Sequence, residues 1–449
     1  MNKKLLRNIF TNYLTIEECC STLHLVSKQW RSVSEQCLHL YSQEISHIVS
    51  WLQCSKRKSW PSKSRYKIPL SLETQVRIDA IKRIIDPTCD PKSGWKKHGI
   101  YQRFDEELAN LLHILMDDLK VPIERMGDLN HICFVEKDNN MHVYSDNVPL
   151  LLQGLALDWP ARKRWSPASD DSDINADATQ THFKCGESFE SDKDVTIKLM
   201  DLFEYSLAQS DDDPLYIFDH LFIERCESMY EDYHNNIDGL DNSENGPSVL
   251  TKIFFPEDLM SKMTTSKRPP HRWLLTGPKG SGTYIHRDPR GTIAWNALFH
   301  GVKIWALLHP ELTAKQVRSG TEFWSGEHSS LYWFVNYLPD AIKECGVEHV
   351  KIIVQLPGDV LVIPSSWWHA VINVENVIGV TENGISIDSF YKEMMLAKRS
   401  GNVHGDEEQD DQLLQRIENV FGLVDAKQAK EWYKEILPIL EGKKKQHLT

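Results

Sequence analysis

The sequence predicts a mainly β protein, a sandwich or barrel, with helical segments before and after it. Three observations lead to this prediction. Apolar residues recur at spacings of three and four before residue 120, short runs of β-type composition begin near residue 131, and helical spacing returns after residue 412. The chain has 449 residues, of which 41% are hydrophobic. That length corresponds to about three domains, and the composition is that of an ordinary globular protein.

The first element, residues 1–45, is predicted to be helical from the spacing of its leucine, isoleucine, valine and tryptophan residues. Its segment LHLVSKQWR, at 23–31, resembles the end of an F-box, although the Leu-Pro opening typical of F-boxes is missing. The resemblance implies binding to the Skp adaptor of cullin ubiquitin ligases. A small helical cap packed on the next domain is an equally weighted alternative.

Residues 46–125 are interpreted as a helical linker region. Two amphipathic helices are predicted, at 72–85 and 105–119, with the Pro/Gly loop DPTCDPKSGWKKHG between them. The second helix has an apolar stripe that indicates packing against a core. The stripe consists of Leu108, Leu111, Leu112, Leu115 and Leu119.

The β domain is predicted to span residues 126–400. Its short apolar runs are separated by Gly, Pro and Asn turns, which is typical of a sandwich or barrel. An acidic insertion near 166–194 is expected to form a flexible loop because it contains little apolar material. A polar spacer at 401–412 opens the C-terminal helical segment, 401–449. The predicted strand runs are 131–137, 148–157, 214–218, 272–277, 292–299, 302–308, 350–356, 359–364, 368–374 and 376–382.

Charge and cysteine content exclude several classes of protein. Residues 1–103 carry 18 Lys/Arg and 8 Asp/Glu, whereas the whole chain has a net charge of −13, so a basic head precedes an acidic body. The acidic body disfavours non-specific nucleic-acid binding and suits a basic peptide. No apolar run is long enough for a membrane span, and the first residues do not predict a secretory signal. Nine cysteines without a CxxC pair argue against a disulfide framework or cysteine zinc site, and predict an intracellular protein, in nucleus or cytoplasm.

The segment TYIHRDPRG contains the most informative pair of residues. On a strand, His286 and Asp288 point to the same face, as two parts of a facial metal site do. His369, at the start of the strand in SSWWHAVINV, is the candidate third ligand. Two imidazoles and one carboxylate leave coordination positions open, which is the arrangement of non-haem Fe(II) oxygenases. A cupin that binds zinc or manganese without oxygen chemistry is the competing interpretation.

Two β-hairpins are predicted around this segment. A turn near Glu375 would place His369 directly opposite Thr381 on one face. A second turn near Gly301 would bring Asn296 close to Lys303. A lysine in the apolar run VKIW is costly to bury without an anion, although its ammonium group could also extend to solvent.

Near a metal, the natural anion is a keto acid such as 2-oxoglutarate, whose keto acid end would chelate iron. Its far carboxylate would need a cation and hydroxyls, which Lys303, Thr283 and Thr381 can supply.

Five segments, which cover roughly residues 126–390, resemble the JmjC hydroxylases. The similarity is greatest to the branch first called the phosphatidylserine receptor and later described as an arginine demethylase and lysyl hydroxylase. The segments are LLLQGLALDWPARKRW, DDDPLYIFD, EDY at 231–233, the run 272–308, and PGDVLVIPSSWWHAVINVENVIGVTEN.

The resemblance implies a double-stranded β-helix of the cupin (jelly-roll) type with helical additions at both ends. It also implies Fe(II), 2-oxoglutarate and O₂ as reactants, and a protein or peptide substrate hydroxylated, or demethylated at nitrogen, on lysine or arginine. A non-catalytic F-box adaptor that binds clients for ubiquitin ligation is the alternative. By resemblance, the iron ligands are His286, Asp288 and His369, and the 2-oxoglutarate pocket contains Thr283, Asn296, Lys303, Thr381 and Tyr216.

Two departures from the branch bear on the site. Arg287 stands between two ligands, where the branch usually has an apolar residue, and strand alternation predicts that its side chain points away from the metal. Residues 220–250, where the substrate contacts of the branch lie, match the branch only in part. The resemblance therefore does not identify the substrate of this chain.

Overall fold

The fold is described from a computed structural model. It covers residues 70–85, 99–121, 123–124, 132–137, 140–145, 148–157, 159–165, 176–185, 195–234, 258, 260, 269–288, 291–317 and 329–386. The F-box-like segment, 1–45, and the C-terminal helical segment, 401–449, lie outside these ranges, so both stay predictions.

Both predicted helices of the linker region are confirmed. Helix α1 spans Leu72–Ile85, and α2 spans Phe104–His113 and continues into a π-helical turn, Ile114–Asp118. The apolar stripe of α2 is buried against one of the β-sheets. This packing supplies the stabilisation that a short helix lacks on its own.

Shorter helices connect or cover the strands. Within the described residues, no helix is both long and apolar enough to cross a bilayer. These helices are α3 (Pro160–Arg164), α4 (Ala176–Gln180), α5 (Leu199–Ala208), α6 (Phe222–Arg225), α7 (Glu227–His234), α8 (Ala314–Val317), α9 (Ser330–Asn336) and α10 (Leu338–Cys345).

Every predicted strand run overlaps an observed strand. The strands are β1 (Ile123–Glu124), β2 (Ile132–Lys137), β3 (Asn140–Ser145), β4 (Leu150–Leu152), β5 (His182–Lys184), β6 (Thr196–Lys198), β7 (Ile217–Asp219), β8 (Arg272–Gly277), β9 (Gly282–His286), β10 (Ile293–His300), β11 (Lys303–Leu308), β12 (Val350–Gln355), β13 (Val360–Ile363), β14 (Trp368–Asn373) and β15 (Val377–Gly384).

Two sheets form the body of the β domain. The five-stranded sheet has the order β1-β12-β11-β14-β9, and the six-stranded sheet has the order β4-β13-β10-β15-β8-β7. Except for the parallel pair of β1 with β12, neighbouring strands in both sheets are antiparallel. The predicted mainly β, cupin-type jelly roll is confirmed.

Both predicted hairpins are wrong. Strand β14 pairs with β11 and β9, whereas β15 pairs with β10 and β8, so His369 and Thr381 are not partners. In the same way, β10 and β11 belong to different sheets. The turns near Glu375 and Gly301 therefore carry the chain from one sheet to the other. A Cβ on Gly301 would lie 2.1 Å from the Asn376 carbonyl oxygen, so the close contact of these two turns requires glycine.

The acidic insertion is not entirely a loop. Helix α4 and strand β5 lie within it, and β5 pairs with β6 beyond it. Phe183 of β5 is fully buried in the core, so one aromatic side chain anchors a strand in an otherwise polar stretch. The flanking parts, 166–175 and 186–194, lie outside the described residues.

Strand alternation sorts the side chains of each sheet into two layers. On β11, Ile304 and Ala306 pack under the helices that cover the five-stranded sheet. Trp305 and Leu307 instead face the interior between the sheets, and Lys303 shares that face by alternation. The interior of the jelly roll therefore receives both apolar side chains and the predicted site residues.

Candidate metal centre

The structure brings the three predicted metal ligands together at one end of the jelly roll. His286 ends β9 and lies directly opposite His369 on β14. Asp288 follows two residues after His286, and its Oδ1 is 3.7 Å from His286 Nε2 and 3.6 Å from His369 Nε2. The two imidazole centroids are 4.1 Å apart. One ion with bonds of roughly 2.1 Å fits among these atoms after small side-chain adjustments.

Backbone carbonyl groups fix the tautomers of both histidines. His286 Nδ1 is 2.6 Å from the Tyr284 oxygen, and His369 Nδ1 is 3.0 Å from the Trp367 oxygen. A carbonyl oxygen only accepts, so both Nδ1 atoms carry the proton and both Nε2 atoms keep a lone pair for a metal. Desolvation, together with the neighbouring His369, lowers the pKa of His286 to about 4. The His286 imidazole is therefore neutral at pH 7, as a ligand must be.

Asp288 is oriented by an amide from the other sheet. Asn383 Nδ2 on β15 donates to Asp288 Oδ2 at 3.2 Å and also to Thr292 Oγ1 at 3.1 Å. Since Asp288 Oδ1 faces the two histidines, the carboxylate is held with one oxygen available to a metal. Sequence reasoning missed Asn383, although it is two residues beyond Thr381 and therefore on the same strand face.

The donor set fits iron(II). Among the described residues, His286, Asp288 and His369 are the only group of three whose ligand atoms could hold one metal ion, and these atoms lie within 4.8 Å of one another. Two neutral imidazoles and a carboxylate on one side of an ion match the facial triad of non-haem iron oxygenases, which keeps positions open. The His286 side chain is 41% exposed, so these ligands lie beside an opening to solvent.

Lys303 is buried inside the jelly roll, and the suggestion that it reaches solvent is wrong. The residue is 1% exposed, and its Nζ lies 5.7 Å from the centre of the Trp305 ring. Within the described part of the chain, no carboxylate pairs with this amine. Burial lowers the pKa of Lys303 from its ordinary value to about 7. A ligand carboxylate in this interior would restore the charged form.

Asn296 is also buried without a partner. Neither its Nδ2 nor its Oδ1 makes a hydrogen bond. Thr381 lies directly opposite on the paired strand, and its Oγ1 donates to the Trp295 oxygen at 2.9 Å. Buried amides nearly always have partners, so the open amide of Asn296 fits a site that a polar ligand completes.

The remaining two predicted pocket residues line the same interior. Thr283 on β9 is half-buried opposite Val371, an interior residue. Tyr216, just before β7, is buried and packs with Leu298. Leu298 is two residues beyond Asn296 on β10, so both side chains point to the inner face of that strand. Tyr216 therefore packs against the inner face of β10.

Sequence reasoning also missed two polar residues of this interior. Asn373, opposite Lys303, donates to Ser281 Oγ and leaves its buried Oδ1 unbonded. Gln355, on the other side of Lys303, accepts from Trp305 Nε1 and donates to the Asn296 backbone oxygen. Asn373 is four residues after His369 on β14, so strand alternation could have placed both on the same face. Gln355 lies beside Lys303 only because β11 pairs with β12, which the sequence does not show.

Comparison with known proteins gives the same family. A model of the cupin-like domain matches residues 137–395. The Caenorhabditis elegans bifunctional arginine demethylase and lysyl-hydroxylase psr-1 is 30% identical over 338 residues, which are 73% of this chain and 74% of that protein. The lysine-specific demethylase JMJ21 of Arabidopsis thaliana is 28% identical over 78% of this chain, which spans 36% of that longer protein.

A third relative is named for its cofactors. The 2-oxoglutarate and iron-dependent oxygenase JMJD4 of Danio rerio is 29% identical over 143 residues, 30% of this chain and 32% of that protein. The matching region of the cupin-like model contains both sheets' central strands and the His-Asp-His cluster. This chain therefore belongs to the cupin-like family, among its JmjC oxygenases, which are enzymes that depend on iron and 2-oxoglutarate.

Proposed function

We propose that this oxygenase hydroxylates lysine or arginine side chains of a protein, including methyl groups on their nitrogen atoms, where hydroxylation ends in demethylation. His286, Asp288 and His369 would hold the iron. Lys303, Asn296, Thr283, Thr381 and Tyr216 would bind 2-oxoglutarate. The observation that carries the proposal is the His-Asp-His cluster at the end of an interior that contains a buried lysine without a carboxylate.

The role of each proposed residue follows from its surroundings. The two Nε2 lone pairs and Asp288 Oδ1 would bind one side of the ion, since the other atoms of these groups are engaged with carbonyls and Asn383. Lys303 would bind the far carboxylate of 2-oxoglutarate, and the open amide of Asn296 would add a donor to that ligand. When bound, iron(II), 2-oxoglutarate and O₂ supply the oxidant that converts a C–H bond into C–OH.

Apolar neighbours keep water away from the inner part of the proposed site. Trp305, Leu307 and Val371 are buried between the sheets beside the metal-binding strand. A dry interior strengthens the attraction between Lys303 and a carboxylate, and it protects a strong oxidant from reaction with solvent.

A basic substrate is supported by two observations. Relatives are named for demethylation of arginine or lysine and for lysyl hydroxylation. In addition, Glu311 and Glu348 are 65% and 70% exposed, at the end of the five-stranded sheet where His309 contacts Trp367. Trp367 is two residues from His369, so these carboxylates lie on the metal side of the sheet. Negative charge there would attract a basic side chain.

The test is conversion of 2-oxoglutarate to succinate by the full chain with Fe(II), using a panel of peptides that contain lysine, arginine and their N-methylated forms. Mass spectrometry should find one added oxygen, or loss of a methyl group, on a basic residue. Asp288→Ala should abolish this change, whereas Asp340→Ala, an exposed carboxylate on α10, should retain it. Oxidation confined to residues other than lysine and arginine, or full activity of Asp288→Ala, would contradict the proposal.

A further inference from the structure

Arg287 separates the ligands His286 and Asp288 and makes contacts outside the metal cluster. Its Nη2 donates to the carbonyl oxygens of Pro310 and Leu312, the latter at 2.9 Å. The guanidinium carbon lies 4.2 Å from the centre of the Trp368 ring. The side chain therefore points away from the metal, as strand alternation predicts.

Trp368 precedes the third ligand, His369, and shares an acceptor with Arg287. Its Nε1 donates to the same Leu312 oxygen at 2.8 Å. The residues next to all three ligands thus meet at one carbonyl group. No metal ligand takes part in this junction.

The turn that provides these carbonyls is itself fixed. His309 N donates to the His349 oxygen at 2.9 Å, and Leu312 N donates to the His309 oxygen at 3.1 Å. Leu312 is buried in the cluster that includes Trp368. Arg287 therefore attaches the short segment between two ligands to a hydrogen-bonded turn that follows β11 of the five-stranded sheet.

We propose that Arg287 is a positioning residue that holds His286 and Asp288 at the correct spacing from His369 through Trp368 and the 310–312 carbonyls. This inference rests on the proposed function, because it takes these three residues as the metal ligands. Asp288 lies beyond the end of β9, where no strand pairing fixes the backbone. The two hydrogen bonds from Arg287 Nη2 and its cation–π contact with Trp368 replace that missing restraint.

Lysine would be a poor substitute at this position. An ammonium group on the shorter lysine side chain could remain above the Trp368 ring, but it lacks the extended guanidinium whose Nη2 reaches the Pro310 and Leu312 oxygens while its centre lies over the ring. Arg287→Lys should therefore have an effect between those of the wild type and Arg287→Met, which keeps only an apolar side chain.

Binding of Co(II) to the full chain tests the proposal without relying on turnover. Equilibrium dialysis should show that Arg287→Met raises the Kd for Co(II) about tenfold or more, as is typical when an outer partner of metal ligands is lost. The Co(II) absorption spectrum should shift because the ligand spacing changes. Trp368→Phe keeps the aromatic ring and loses the bond to Leu312, so it should raise the Kd by a smaller factor.

Arg272→Met on β8 is the matched control. Arg272 also pairs through Nη2, with Glu224 at 3.2 Å, but none of its partners adjoins a metal ligand. Its Kd for Co(II) should stay within about twofold of the wild-type value. Thermal unfolding of the metal-free variants separates a loss of folding from a loss of positioning.

A folded Arg287→Met variant that binds Co(II) with wild-type affinity and spectrum, whatever its melting temperature, would overturn the positioning role alone. A wild-type chain that takes up no Co(II) would overturn both this inference and the proposed function. The two failures are therefore distinguishable.

Discussion

Asn296 on β10 lies directly opposite Thr381 on β15, and its buried amide makes no hydrogen bond. A buried polar group without a partner costs roughly 1–3 kcal/mol. The ligand-free protein therefore maintains an unfavourable amide at the position where the proposed cosubstrate would bind.

Replacing Asn296 by leucine should affect stability and binding in opposite directions. Asn296→Leu keeps the approximate volume and removes the unpaired amide, so the free energy of unfolding of the ligand-free chain should stay the same or rise by about 1 kcal/mol. The KM for 2-oxoglutarate should rise at least about tenfold, because the Asn296 Nδ2 donor to the ligand is lost. Thermal unfolding and succinate formation measure these effects.

Asn336→Leu on α9 is the control for this change, because its amide donates to the Tyr332 oxygen at an exposed position. The control should leave the KM for 2-oxoglutarate unchanged. Equal KM values for Asn296→Leu and wild type would remove Asn296 from the proposed pocket.

Binding of 2-oxoglutarate should take up a proton through Lys303. Burial lowers the pKa of Lys303 to about 7, so at pH 8 the amine of the free protein is about nine-tenths neutral. The bound carboxylate favours the ammonium form and raises its pKa. Affinity should therefore decrease as pH rises above 7, by up to about tenfold per pH unit until the pKa of the bound form is reached. Calorimetry at pH 8 in buffers of different ionisation enthalpy should detect about one proton taken up.

Lys303→Arg provides the comparison, because a guanidinium stays protonated throughout this range. Any 2-oxoglutarate binding by that variant should occur without the proton uptake. A wild-type chain whose binding shows no linked proton would contradict the assignment of Lys303 to the carboxylate.

Lys303 also makes stability depend on pH. In the ligand-free wild type, the pKa of Lys303 is lower in the folded chain than in the unfolded chain. The contribution of Lys303 to the free energy of unfolding therefore rises with pH between about 7 and 10.5.

Removing the amide that holds Asp288 should weaken metal binding. Asn383→Leu deletes the donor that lies 3.2 Å from Asp288 Oδ2, and the carboxylate gains freedom to turn. The Kd for Fe(II) should rise about tenfold, with little change in the KM for 2-oxoglutarate at saturating metal. Anaerobic metal titration and steady-state kinetics provide these two values, and unchanged metal affinity would show that Asn383 does not orient the ligand.

Neutralising the two exposed carboxylates should affect recognition of a basic peptide. Glu311→Gln and Glu348→Gln should each raise the peptide KM about threefold at low salt, with kcat unchanged, because the attraction acts before chemistry. The effect should diminish as ionic strength increases. Glu106→Gln, an exposed carboxylate on α2, is the control and should leave the KM unchanged. A peptide KM at low salt that stays at the wild-type value in both Glu311→Gln and Glu348→Gln would exclude this surface from substrate recognition.

The sequence allowed the strands and the ligand set to be predicted because both depend on local patterns. Apolar runs between turns predicted nine of the eleven strands of the two sheets, all but β1 and β9. Strand alternation placed His286 and Asp288 on one face. The failed hairpins at Glu375 and Gly301 had the right turns but the wrong partners. A turn that crosses between sheets and one that reverses within a sheet have similar sequences, since pairing depends on residues far away in the chain.

The sequence by itself determined the residue types that suit iron and a dicarboxylate, namely two histidines, an aspartate and a lysine in an apolar run. Only the tertiary structure decided that Lys303 is buried without a carboxylate, that Asn296 has an open amide, and that Arg287 and Trp368 meet at the Leu312 oxygen. The physical reason is that burial and hydrogen-bond satisfaction belong to pairs of distant segments. A local pattern specifies which side chains a strand offers, whereas the packing of two sheets determines what those side chains meet.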